Sequence, residues 1–288
     1  MGQIAIGVDK TRSFRFYIGY LKDLIEDAAV YHKPSLLAAT ILGRTLVGAA
    51  LMGAMLKGDK EKLTFIIRGE GVAKEVLATA NGEGRVKGYI ANPDIDLPNK
   101  VDGSMDLEGA IGLGNLTVIK DVGLKKPYTG SIGLVSGEVA EDLAAYFYIS
   151  EQKNTMVALS ESAGVIIQMM PEASEKAIEA VETLSKDLKP LKELMGESID
   201  VSEFVANVFK GIGEEFQPIV LEERECIYEC DCSKKRFEKA LLATGKKSLD
   251  ELADSKEDIE TVCHFCGKKY YFTPEDIKKI RENYFYFE

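Results

Sequence analysis

The chain has 288 residues, 36 basic against 47 acidic side chains for a formal charge of −11, and 45% apolar residues, the composition of a folded globular protein. That length suits two domains and a connector, and the acidity excludes the basic face on which extensive nucleic-acid binding depends. All five cysteines, Cys226, Cys230, Cys232, Cys263 and Cys266, fall in the last quarter, too few and too clustered for a secreted disulfide framework, so metal or redox chemistry is expected.

Met1 to Asp9 has no basic start followed by a long apolar run, so no secretory signal is expected and the protein should be cytoplasmic. Ser35 to Leu56 is long enough to suggest a membrane span. Arg44 near its middle would cost about 2.5–3.5 kcal/mol at a bilayer centre, and Gly43, Gly48 and Gly53 interrupt it. It reads instead as a buried helix whose small residues admit neighbouring backbone, and no membrane partner is expected.

Lys62 to Arg68, Val72 to Thr79 and Arg85 to Ala91 are β-rich runs separated by Gly69-Glu70-Gly71 and Asn81-Gly82-Glu83-Gly84, the signature of a meander. Leu116 to Lys120, Tyr128 to Val135, Thr155 to Ser160 and Val165 to Met170 are further strands, flanking a helical pattern over Glu138 to Ile149. Together these predict an α+β domain over residues 1–171. Gly69-Glu70-Gly71-Val72-Ala73-Lys74 and Gly112-Leu113-Gly114-Asn115-Leu116-Thr117 each lack the last glycine of a dinucleotide fingerprint and read as turns. No phosphate-binding P-loop occurs. His32 stands without a nucleophile motif and reads as structural.

Residues 1–170 carry 18 basic and 20 acidic groups, residues 171–225 carry 6 and 14, and residues 226–288 carry 12 and 13. The acidity is therefore concentrated in the middle, where the period becomes helical: Ile178, Val181, Leu184 and Leu188 recur at three- and four-residue spacing. Pro190 breaks that helix, and the short pieces Leu191 to Met195 and Val201 to Lys210 stop at Gly196 and Gly211. Residues 172–225 thus form an amphipathic helical linker, read either as an ordinary helical layer or as one that detaches.

The strongest chemical signal lies in residues 226–288. Cys230-Asp231-Cys232 and, 30 residues on, Cys263-His264-Phe265-Cys266-Gly267 offer four thiolates in two close pairs, suited to one tetrahedral zinc, with Gly267 permitting the tight turn of a metal knuckle. Spacing alone leaves the connection between the pairs open. A thioredoxin-like reading of Cys263 and Cys266 needs a following helix, whereas Gly267 to Phe272 reads as turn and strand. His264 is expected to be exposed and Cys226 to be a spectator. Ser233 should cap one helix, Ser248 and Glu251 form a capping box, and Thr273-Pro274 open the last helix. The pairs Lys234-Lys235, Lys246-Lys247 and Lys268-Lys269 read as solvated. A module this small draws much of its folding free energy, on the order of 10 kcal/mol, from its metal.

The sequence resembles the redox-regulated heat-shock chaperone family of 33 kDa proteins. The resemblance rests on the two cysteine pairs, on Cys232-Ser233-Lys234-Lys235-Arg236-Phe237, on Val262 to Gly267 leading to Tyr270, and on Gly43-Arg44-Thr45-Leu46, Asn81 to Tyr89 and Tyr146 to Gln152. It covers nearly the whole chain. It implies an ATP-independent holdase, not an enzyme, that is inactive when Cys230, Cys232, Cys263 and Cys266 hold one zinc. It further implies oxidation to Cys230–Cys232 and Cys263–Cys266 under oxidative stress, zinc release, unfolding of the linker, and binding of unfolding client proteins, often as a homodimer. The alternative from another class is an enzyme or RNA-associated protein whose zinc is purely structural.

Overall fold

The computed structural model describes residues 1–195, 200–255 and 257–284. The chain forms two compact units, Met1–Glu229 and Cys230–Glu288, with the α+β architecture expected.

The first unit begins with β1 (Gly2–Asp9), β2 (Phe14–Tyr20), α1 (Lys22–His32) and α2 (Leu36–Gly53), then β3 (Lys62–Gly69), β4 (Glu75–Asn81) and β5 (Arg85–Ile90). α3 (Leu107–Ile111), β6 (Gly114–Asp121), β7 (Tyr128–Gly133), α4 (Val139–Glu151), β8 (Thr155–Leu159) and β9 (Ala163–Met169) follow. The sequence-predicted linker supplies α5 (Glu175–Asp187), α6 (Leu191–Leu194) and α7 (Val201–Val208) before β10 (Pro218–Tyr228). The stop expected at Gly196 lies outside the described residues; Gly211 does follow α7, with φ +89°.

The strands form one sheet in the order β7-β6-β3-β4-β5-β10-β1-β2-β9-β8. The meander β3-β4-β5 is antiparallel as expected. Its junction with the other half is the short parallel pairing of Ile227 and Tyr228 with Arg85 and Val86. β1, β2 and β10 escape sequence reasoning, because glycines dilute the alternation in β1 and because Glu222, Glu223, Arg224 and Glu225 make β10 look like connector. β10 nevertheless pairs with β1 from Gly2↔Cys226 to Asp9↔Pro218.

α2 is the axis around which this sheet curls, touching β3, β4 and β5 on one side and β2, β8 and β9 on the other. Ser35 starts it, accepting from the Ala38 amide at 3.4 Å while donating to the Ile95 carbonyl at 2.9 Å. Among the described residues it is the one helix long and apolar enough to cross a membrane, and 83% of it is buried within the fold. Its glycines act as expected: a Cβ on Gly43 would lie 2.6 Å from the Glu161 carbonyl oxygen, and one on Gly53 would lie 2.7 Å from Ala80. Arg44 pairs with Glu138, so the one charge in the helix is neutralised at its partly buried position.

Both glycine pairs are turns, and they interlock. The amides of Glu70, Gly71 and Ala73 donate to the carbonyls of Leu113, Ile111 and Ala110 at 2.8–2.9 Å. A Cβ on Gly69 would lie 1.9 Å from the Ile111 carbonyl oxygen, and one on Gly114 2.0 Å from that of Arg68. Glycine is required there by backbone packing, which removes any need for a nucleotide.

The far face of the sheet carries a second core. Phe14, Phe16, Ile18, Val165 and Ile167 point away from α2 and are covered by Val181 and Leu184 of α5, Leu191 of α6, Phe204, Val205 and Val208 of α7, and then Phe209 and Phe216. β9 is buried along nearly all its length because Ile166 faces α2 while Val165 and Ile167 face these helices.

The second unit holds α8 (Lys234–Ala243), α9 (Lys246–Ala253), a hairpin of β11 (Ile259–Val262) and β12 (Lys269–Phe272), and α10 (Pro274–Tyr284). Ser233 caps α8, accepting from the Arg236 amide at 3.4 Å. Thr273 and Asp276 form a reciprocal box at the start of α10, with bonds of 3.1 and 3.2 Å. The box expected at Ser248 does not form. α9 already starts at Lys246, after Gly245 at φ +91°, so Ser248 is the third residue of the helix and not the residue before it, the position from which a side chain caps the first-turn amides. The unit's core is small: Leu241, Leu249, Ala253, Phe272, Ile277 and Ile280.

Candidate metal centre

Two local structures deliver the four sequence-predicted ligands. Cys263 directly follows β11, and its amide donates to the Lys268 carbonyl at 2.9 Å, extending the hairpin by one residue. The Gly267 amide returns to the Cys263 carbonyl at 2.8 Å, and Gly267 adopts φ +68°, the left-handed geometry that glycine takes without strain. Cys266 is thereby turned back toward Cys263. Cys230 and Cys232 lie on the segment entering α8, where the guanidinium of Arg236 pairs with Asp231 and donates to its carbonyl at 3.2 Å.

These pieces bring all four sulfurs within 4.8 Å of one another. Two close approaches run across the pairs, Cys230 to Cys263 at 3.6 Å and Cys232 to Cys266 at 3.5 Å, and none of the four is in a disulfide. A tetrahedron with metal–sulfur bonds of about 2.3 Å has edges of about 3.8 Å, so the donor set fits one thiophilic ion. Among the described residues this is the one group of three or more cysteine, histidine or acidic side chains so arranged. His264 is exposed and outside it.

The electrostatics favour a cation. Burial raises the Cys230 and Cys266 thiols above their ordinary value. Burial also opposes ionisation of Cys232, but hydrogen bonds from Tyr270, Cys266 and Cys230 prevail and hold it below that value. Four negative charges a few ångströms apart repel one another, and a divalent ion makes four thiolates compatible.

Tyr270 is the neighbour that sequence reasoning did not assign. Its oxygen lies 3.2 Å from Cys232 Sγ and donates to the Cys232 carbonyl at 3.0 Å, and it is pushed up to about 12, first by the bond to Cys232. Its ring packs on Phe237 with centroids 5.0 Å apart. The available signal was the period-two pattern of Lys269 to Phe272, which sends Tyr270 and Phe272 inward and Lys269 and Tyr271 outward.

The remaining candidates are structural. His32 Nε2 is 3.2 Å from the Tyr228 hydroxyl. Lys234 pairs with Asp276 at 3.0 Å, Lys269 with Glu260 at 2.9 Å, and Lys268 lies 5.5 Å over the Tyr270 ring, so these lysines serve local contacts more than the bare solvation expected. Cys226 sits on β10 in the first unit, 1% exposed in the core around α2.

Comparison with known proteins agrees with this arrangement. Residues 3–273 match the family model described as Hsp33 protein. The chain is 38% identical over 279 residues to the 33 kDa chaperonin of Alkaliphilus metalliredigens, covering 93% of this chain and 94% of that one. It is 41% identical over 287 residues to that of Clostridium perfringens, covering 96% and 89%. The crystal structure of the 33 kDa chaperonin from Thermotoga maritima superposes with a TM-score of 0.83 at 33% identity, covering 97% of each chain.

Proposed function

The chain belongs to the Hsp33 family of chaperones, and from that premise we propose that it is a redox-regulated, ATP-independent holdase rather than an enzyme. One observation carries the reading: the four-cysteine cluster stands in a unit whose core, among the described residues, holds six buried apolar side chains, too few to hold that unit together without a metal. In the reduced form Cys230, Cys232, Cys263 and Cys266 would hold zinc as thiolates, and the ion would supply a closed tetrahedral tie between the two pairs.

Oxidation removes the ligands themselves. Each pair of thiolates that becomes a disulfide loses both charges and its affinity for metal. The resulting Cys230–Cys232 and Cys263–Cys266 bridges close loops of one or two intervening residues and tie nothing distant, so the unit loses its main constraint. Residues 172–225 then act as the responsive linker. Their helices lie on Phe14, Phe16, Ile18, Val165 and Ile167, and lifting them uncovers an aromatic and aliphatic sheet face suited to unfolding clients. In this reading the protein works in the cytoplasm under oxidative stress, forms a homodimer when active, and has neither nucleic acid nor membrane as its partner.

The test is to treat zinc-loaded protein with peroxide and follow zinc release together with aggregation of a heat-unfolding client. Coincident release and suppression are expected. Suppression that is equal before oxidation, or absent after complete zinc release, would leave the purely structural reading of the metal.

A further inference from the structure

We propose that Tyr270 is a positioning residue of the cysteine cluster, its hydroxyl hydrogen-bonding Cys232 Sγ and shielding that one sulfur from electrophiles while the metal is bound. The inference rests on the reading of the four cysteines as metal ligands and goes beyond it, because it assigns unequal reactivity to sulfurs that share one ion.

The contact is specific. Tyr270 Oη stands 3.2 Å from Cys232 Sγ and 3.0 Å from the Cys232 carbonyl oxygen, so one phenolic proton faces two acceptors on the same residue. A metal-bound thiolate carries no proton, so across the 3.2 Å contact Tyr270 is the donor, its one proton shared between the sulfur and the Cys232 carbonyl oxygen. The hydroxyl is held in place from two directions. Thr261 pairs with Tyr270 in the hairpin, its hydroxyl donating to the Tyr270 carbonyl at 3.2 Å, and the ring is packed against Phe237. Lys268 Nζ, 5.5 Å from the ring centroid, adds a positive charge on the same side chain.

A hydrogen bond into a thiolate lone pair withdraws the electron density that would attack an electrophile, and such outer partners tune metal-bound ligands. With peroxide, a shielded sulfur is the slower of its neighbours to break the O–O bond. The attacking thiolate forms a sulfenic acid and releases hydroxide; a second thiolate then displaces the sulfenic hydroxyl as hydroxide, giving the disulfide. Two thiolates and one peroxide thus yield one disulfide and two hydroxides. Cys230 and Cys266 are partly exposed like Cys232, and among the described residues the tyrosine hydroxyl bonded to a cluster sulfur is that of Tyr270, on Cys232.

Tyr270→Phe removes the hydroxyl and keeps the ring. In zinc-loaded protein given limiting iodoacetamide, the share of alkylation falling on Cys232 relative to Cys230 and Cys266 should rise about fivefold, the scale set by one hydrogen bond. The cobalt form should show its thiolate charge-transfer band displaced to lower energy. Phe237→Leu, which loosens the ring packing and retains the hydroxyl, separates this from a merely structural role: equal gains at all four cysteines in both variants would overturn the proposal, as would an unchanged Cys232 share in Tyr270→Phe. If Tyr270→Phe does not load metal, the zinc-loaded wild type decides instead, a slowly exchanging Tyr270 hydroxyl proton by NMR supporting the bond and a freely exchanging one overturning it. None of these readouts uses peroxide, so failure of peroxide to release zinc would count against the redox reading and leave the shielding of Cys232 separately measured.

Discussion

The ring of Phe209 stacks on that of Phe14, with centroids 5.8 Å apart and planes 15° apart. Phe209 also meets Phe16 at 5.0 Å, so one side chain just beyond α7 fastens the helical layer to the strand beneath it. Phe209→Ala removes this fastening at a cost of about 3 kcal/mol or more. The reduced variant should keep its zinc, exchange backbone hydrogens faster across α5 to α7, and suppress client aggregation without oxidant. Wild-type exchange together with full chaperone activity would separate the layer from function.

Cys263→Ser keeps the size of a ligand and loses the soft sulfur. Metal uptake should fall below one ion per chain, and because zinc contributes on the order of 10 kcal/mol in small modules, α8, α9 and α10 should lose helicity. Zinc analysis and circular dichroism check this. A chelator should produce the same change in wild type while the strands β3 to β5 remain protected.

The order of disulfide formation is a contest between distance and chain entropy. In the assembled cluster close sulfur contacts cross between the pairs, Cys230 to Cys263 and Cys232 to Cys266. Once the sulfurs are no longer held together, joining residue 232 to residue 263 costs about 2 kcal/mol more in loop closure than joining neighbours. Peptide mapping after brief oxidation should find Cys230–Cys232 and Cys263–Cys266. A dominant bridge between the pairs would keep the tie and contradict the release of the linker.

Glu151 supplies a pH signature. Burial opposes its ionisation, but Lys120, and Lys153 at 3.1 Å, hold its carboxyl below the ordinary glutamate value. A depressed carboxyl stabilises the fold above its unfolded pKa, and that contribution is lost as pH falls through the folded one. Glu151→Gln should therefore lower Tm at neutral pH, with the gap to wild type closing on acidification through the carboxylate range. A gap independent of pH would mean that packing, not charge, is the cause.

Cys226 should be inert. Burial pushes its thiol up to about 12, so native protein should resist alkylation there at neutral pH and react only when unfolded. Cys226→Ala should cost about 1 kcal/mol of stability and leave metal stoichiometry and the oxidation products unchanged.

Local signals were legible wherever they were self-contained. α2 could be read because it is apolar on every side with a serine at its start, and β3 to β5 because glycine-rich turns separate β-rich runs. Ser233 and Thr273 were readable caps, whereas Ser248 was not one, since Gly245 lets α9 begin a few residues earlier. β1 and β10 carried weak periodicity, and their pairing of Gly2 with Cys226 joins opposite ends of the first unit.

By itself the sequence determined the chemistry available: four thiolates in two short-spaced pairs, a glycine able to turn the second pair, and an amphipathic segment without a surface of its own. Ligand type and spacing are properties of a few adjacent residues, and capping and periodicity act within one or two turns. The tertiary structure alone decided that the two pairs share one cluster, that Tyr270 faces Cys232, and that the linker helices lie on Phe14 and Phe16. Those relations join residues far apart in the chain, and they follow from which apolar faces and unpaired backbone groups remain once each local element has formed.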